Sequence, residues 1–219
     1  MEMPLFFPHL VRRSNYSKHS DGSFLAYSSY RQEIREDCKC KCVYCDIFEN
    51  ENGGEENMNL DHFRPKKIDK FKHLVNNPIN LMWTCRGCNL LKSDKWPALD
   101  IDDTYLNQEG FIDPFQVEYS DFFEVDEDGV IIPLKDPSAY MIAVLHLNRE
   151  TRRKLRELRI KRRSLMDYCE NEITKINGKR KRVEDDKLLS FEHKKEWLND
   201  LQSMENNIYQ IKKLLSPYI

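Results

Sequence analysis

Four cysteines in two pairs constrain this chain more than any other feature. Cys42 and Cys45 form one CxxC, Cys85 and Cys88 form a second, and 39 residues separate the inner members. Two such knuckles can bring four soft, ionisable sulfurs into a tetrahedron, which suits a closed structural zinc site. The alternative is a set of thiols brought together only by packing. The run CKCKCVYC also offers Cys38 and Cys40 as ligands, but the two-residue spacing selects Cys42 and Cys45. Cys169 lies in an apolar helical pattern and reads as a core residue. An odd total of seven cysteines fits poorly with a disulfide framework. No apolar run reaches the roughly 18 residues that a membrane span needs, and the opening MEMPLFFPHLVRRSNYS lacks the basic-then-apolar order of a secretory signal. The expected compartment is the cytoplasm.

The charges are sorted along the chain. Residues 1–96 carry 15 Lys and Arg against 13 Asp and Glu, residues 97–136 hold Lys135 alone against 12 acids, and residues 149–182 carry 14 basic against 5 acidic side chains. The last segment reads either as a solvated helix face or as a surface that meets phosphates. On the second reading Arg152, Arg153, Arg156, Arg159 and Arg163 hold nucleic acid.

Hydrophobic spacing predicts a helix over 23–37 and a solvated loop at ENENGGEENMN. It predicts short strands in FIDPF, DFFEVDEDG and VIIPL around a turn at Asp128 and Gly129. Helices follow from Pro137 to about Ile176, with Met141, Val144, Leu145, Leu155, Leu158, Leu165 and Met166 as the apolar positions. GKRKR reads as a break. In a last helix, Ser190 to Leu215, the residues Trp197, Leu201, Met204, Ile208, Ile211 and Leu215 form a stripe that either the chain's own core or a partner must cover. The three regions are 1–97, with the cysteines, 98–136, acidic, and 137–219, helical. The expected class is α+β with a mainly helical C-terminal region.

A zinc ion on four thiolates has no open position and cannot itself activate water. Between and beside the knuckles lie Asp61, His62, Asn80 and Asn89. An imidazole can take a proton from water near neutral pH, and Asp61 with Asn89 offers hard oxygen ligands to a divalent ion such as Mg²⁺. If CRGCNLLKSDK opens a helix, Cys88 and Asn89 point about 100° apart, so the two can serve different centres. Strand alternation sets Asp61 and His62 on opposite faces unless the strand ends or distorts there. Arg64 and Lys66 are phosphate candidates beside the imidazole, and Lys92 and Lys95 read either as further phosphate contacts or as an exposed helix face. His73 reads as solvated, and Trp83 and Trp96 as core around the metal.

The run CVYC, DHFRPK, NPINLMWTC and CNLLKSDKW resembles the HNH endonuclease family over about residues 40–97. The resemblance implies a zinc-stabilised ββα-metal core that hydrolyses nucleic-acid phosphodiesters. It makes His62 the general base, Asp61 and Asn89 ligands of a catalytic divalent ion, and Asn80 the residue that orients the loop. The substrate it implies is DNA, with a structured RNA such as a tRNA as the alternative. The wider layout, SSYRQEIR before the first knuckle and LHLNRETRRKLRELRIKR after the acidic stretch, is similar to the HNH effectors of Septu-type and retron-associated antiphage systems. That similarity implies an ABC-type ATPase partner and, for the retron-linked members, a reverse transcriptase and its DNA. A competing expectation is a catalytically silent zinc module that binds nucleic acid or bridges proteins.

Overall fold

The computed structural model describes residues 5–100 and 102–215. A 3-10 turn at Tyr27–Tyr30 leads into α1 (Arg31–Asp37), so the helix expected over 23–37 occupies its C-terminal part. Tyr30, at the end of the turn, and Ile34, in the helix, are fully buried. Lys39 and Cys40 then take positive φ, 55° at each, and turn the chain into the first knuckle.

The centre of the N-terminal part is an antiparallel pair, β1 (Met58–His62) and β2 (Leu81–Cys85), in the register Met58↔Cys85 through His62↔Leu81. Every residue of β2 is buried, as expected for a strand covered on both faces. The connection from 63 to 80 is fastened by Arg12, which donates to the carbonyl oxygens of Ile79 (2.8 Å), Leu81 (2.9 Å) and Pro78 (3.2 Å). Next comes α2 (Arg86–Lys92), capped at its start by Cys85, whose Sγ accepts from the Cys88 N–H at 3.5 Å.

The acidic region holds two small hairpins, β3 (Tyr105–Leu106) with β4 (Glu109–Gly110) and β5 (Phe123–Val125) with β6 (Ile131–Pro133). The second turns at Asp126, whose Oδ1 accepts from the N–H groups of Asp128 and Val130, with Gly129 at φ 73°. FIDPF is not the strand that its sequence suggests. Asp113 Oδ1 accepts from the Phe115 N–H at 2.9 Å across Pro114, a local turn that competes with strand pairing. Phe111, Ile112, Tyr119, Phe123 and Ile131 nevertheless share one core with Trp83, Met82 and Tyr44 of the cysteine region.

α3 (Ser138–Val144) and α4 (Glu150–Asp185) meet at a corner, and α5 (Phe191–Leu215) follows. GKRKR does not break α4. Gly178 costs a helix about 1 kcal/mol relative to Ala, and the Lys and Arg around it are good helix formers. The chain divides into two compact units, Met1–Glu157 and Leu158–Ile219, with the boundary inside α4. In the second unit Cys169, Ile176, Val183 and Leu201 are buried, and Arg180 pairs with Glu205 at 2.7 Å. Trp197 and Met204 of the expected stripe are more than half exposed. The chain is thus α+β with a mainly helical C-terminal part. No helix among the described residues is long and apolar enough to cross a membrane.

Candidate functional site

The two knuckles converge. Cys42, Cys45, Cys85 and Cys88 are all buried, and their sulfurs lie within 4.8 Å of one another. The Cys45–Cys85 Sγ separation is 3.8 Å, far from a disulfide and equal to the edge of about 3.8 Å that a tetrahedron of Zn–S bonds near 2.3 Å would have. Donor type, number, burial and spacing therefore fit a metal such as zinc. Hydrogen bonds from Cys42, Cys45 and Cys88 pull the Cys85 thiol's pKa down, while burial pushes Cys42 up. Cys38 stands outside the cluster, its Sγ accepting the Trp83 N–H at 3.4 Å.

β1 reaches the other end of the hairpin at Asp61 and His62, whose side chains leave on opposite faces. The His62 ring meets Val75 O at 2.9 Å through Nε2 and stands edge-on to Tyr27, centroids 4.9 Å apart. A carbonyl oxygen can only accept, so Nε2 carries the hydrogen and Nδ1 keeps its lone pair. Nδ1 has no hydrogen-bond partner among the described residues. Burial lowers the pKa of His62 below its ordinary 6.5, against the Val75 hydrogen bond. The imidazole is neutral at pH 7.

Asp61 lies in a different environment. Tyr44 Oη donates to its Oδ2 at 2.9 Å, and Lys92 Nζ stands 3.1 Å from Oδ2 and 3.4 Å from Oδ1. Lys92 also donates to the His62 carbonyl at 2.8 Å. Its side chain is fully buried, so Lys92 is not the phosphate contact that its sequence position allows. Burial lowers its pKa while Asp61 works to raise it. With an ammonium on both carboxylate oxygens, Asp61 as it stands does not fit a divalent ion.

Asn80 is buried and grips the backbone of the loop after His62. Its Oδ1 accepts the Arg64 N–H at 2.8 Å, its Nδ2 donates to Arg64 O at 3.0 Å, and its own carbonyl accepts from the Phe63 N–H at 2.8 Å. Asn89 is half-buried in α2, one turn before Lys92. Arg64 donates to Asp102 O at 3.3 Å, and Lys66 is exposed with its ammonium 4.6 Å from the Tyr27 ring centre. Tyr27, which sequence reasoning did not single out, thus links the imidazole to a surface cation. Its only advance signal was an aromatic residue in a polar lead-in.

The arginines of α4 divide. Arg156 is buried and donates to Gly129 O (2.6 Å), Leu147 O (3.0 Å) and Asn148 Oδ1 (3.1 Å). Arg159 is buried as well, and Arg152 is half-buried with Nη2 on Asn52 Oδ1 at 2.7 Å. These three do not offer the open phosphate surface expected of them. The helix approaches the β5–β6 turn so closely that a Cβ on Gly129 would lie 2.3 Å from Arg153 O. Arg153 is exposed and Arg163 half-buried.

Fold and site together define an α+β protein with a buried four-cysteine centre, able to hold a metal, at one end of a strand pair and a neutral imidazole at the other. No protein-family model, curated protein or solved structure matches the chain.

Proposed function

We propose that the chain hydrolyses nucleic-acid phosphodiester bonds, with His62 as general base on a hairpin held by zinc at Cys42, Cys45, Cys85 and Cys88. The observation that carries this reading is the state of His62. Val75 O fixes its Nε2–H, burial keeps the ring neutral, and Nδ1 is left with a lone pair. Nδ1 accepts a proton from the attacking water, whose oxygen bonds to phosphorus as the bond to the leaving oxygen breaks. Asn80 supports the reading by bracing the loop that follows the base. The HNH resemblance supplies the reaction class, and Lys66, exposed four residues after His62, is a cation that a phosphate could meet.

The resemblance also implies Mg²⁺ on Asp61 and Asn89. Lys92 already holds Asp61, so no step is derived through that ion. The Septu-like layout further supports an ABC-type ATPase partner and a role against phage. The assay is incubation with labelled plasmid DNA and total RNA in Mg²⁺, with and without a co-purified ATPase. Cleavage by the wild type that is lost in His62→Ala is the expected result.

The Asp61–Lys92 pair favours a second reading, a silent zinc module that binds nucleic acid or bridges proteins. Salt-dependent binding without cleavage of any nucleic acid, under all these conditions, would select it.

A further inference from the structure

The corner between α3 and α4 delivers a guanidinium to the four sulfurs. Arg149 stands immediately before α4, and its Nη1 donates to the carbonyls of His146 (3.1 Å) and Leu145 (3.2 Å). Its Nη2 lies 3.7 Å from Cys85 Sγ and 3.8 Å from Cys88 Sγ, within hydrogen-bonding range for sulfur. One arm of the fork holds the corner and the other faces the cluster. The guanidinium also passes Gly87, between those two cysteines: a Cβ there would lie in ordinary contact, 3.5 Å from Arg149 Nη2.

Three residues on, Arg152 is half-buried, with its Nη2 on Asn52 Oδ1. Its Nε is buried with no hydrogen-bond partner.

A dication on four thiolates leaves about two negative charges in excess. In a buried site such a charge is costly unless cations stand beside it. We propose that Arg149 is the positioning and charge-compensating clamp of the metal-loaded cysteine cluster, fastening the α3–α4 corner to it. The inference rests on the metal reading of the four cysteines. It assigns the first arginine of the basic stretch to sulfur rather than to phosphate.

The test uses the full chain, stripped of metal under reducing conditions and titrated with Co²⁺, whose sulfur-to-metal charge-transfer band reports the ligand set. Zn²⁺ affinity then follows by competition, and a pH titration of the loaded protein gives the point of metal release. Arg149→Met should weaken metal binding about tenfold or more, in the range measured when partners of metal ligands are removed elsewhere. Without the cation, protons compete better for the sulfurs, so release should move to higher pH. Arg149→Lys keeps the charge but not the fork and should fall between the two, while Arg153→Met, exposed on the same helix, should match the wild type. A folded Arg149→Met protein that binds metal within about twofold of the wild type and releases it at the same pH would overturn the inference. Should Arg149→Met not fold even with excess metal, Arg149→Lys decides by the same two readouts, and wild-type values in both would overturn it. A wild type that takes up no Co²⁺ or Zn²⁺ overturns the metal reading, and this inference with it, before any variant is compared.

Discussion

The two ends of the β1–β2 hairpin make an instructive pair. At one end Met58 faces Cys85, beside four buried sulfurs that are one another's neighbours; at the other His62 faces Leu81, and a single imidazole keeps a lone pair free. Four strand steps, about 13 Å, separate them along β1. The sulfur end is closed, since its donors would fill the coordination sphere of the metal they suit. The histidine end is held by main-chain and side-chain hydrogen bonds and leaves one nitrogen for chemistry. On the proposed reading, a metal would fix the hairpin and take no part in the reaction.

Substitutions at the sulfur end should have the largest effect. Cys85→Ser removes one ligand and the cap of α2, and small zinc domains owe on the order of 10 kcal/mol of folding free energy to their metal. The expected outcome is loss of metal, read by elemental analysis, together with loss of the folded far-UV spectrum. Retention of both would break the contrast between the two ends.

Lys92→Met should come next, because it leaves the Asp61 carboxylate buried without its cation. Removing one member of a buried pair costs about 3–5 kcal/mol, to be measured by denaturant unfolding. Adding Asp61→Leu to Lys92→Met should recover most of the loss. A Lys92→Met protein as stable as the wild type would mean that Asp61 is free to serve another cation.

Asn80→Ala acts on the histidine end alone. It removes two hydrogen bonds to the Arg64 backbone and should cost about 1–3 kcal/mol. Cleavage should fall while metal affinity stays at the wild-type value. A parallel fall in metal affinity would show that the two ends are not separable.

The smallest effect belongs to Gly178→Ala in the second unit, where an added Cβ meets nothing within 4 Å. It should stabilise α4 by up to about 1 kcal/mol, without change in metal content or cleavage. Any loss of activity would bring the second unit into the comparison.

Much of this arrangement is legible before any coordinates. The CxxC spacings name the four sulfurs, and strand alternation separates Asp61 from His62. What excludes Cys38 and Cys40 is backbone geometry, a turn with two positive φ values and the Trp83 N–H on Cys38, which composition does not encode. The burial of Lys92 had a signal: it stands four residues after Cys88, and that spacing shares a helix face. Arg156 had none, because its partners are a carbonyl of the distant β5–β6 turn and groups of the corner before α4, which no residue pattern joins. A run of arginines reads as surface until the close approach of Gly129 to α4 is known. FIDPF had the residues of a strand, and one aspartate redirected it into a turn.

The most direct test of the account is the pH–rate profile of cleavage by wild type and His62→Ala, each with its metal content and melting temperature measured on the same sample. A base with a pKa held down by burial is already neutral at pH 7, so the wild-type rate should climb with pH through a midpoint below 6.5 and level off before neutrality. In His62→Ala the limb should vanish and the rate drop by about 10²–10⁴-fold, with metal content and melting temperature unchanged. A variant that cleaves at the wild-type rate with the same pH limb, or that loses its metal along with its activity, would contradict the division of labour between the two ends of the hairpin.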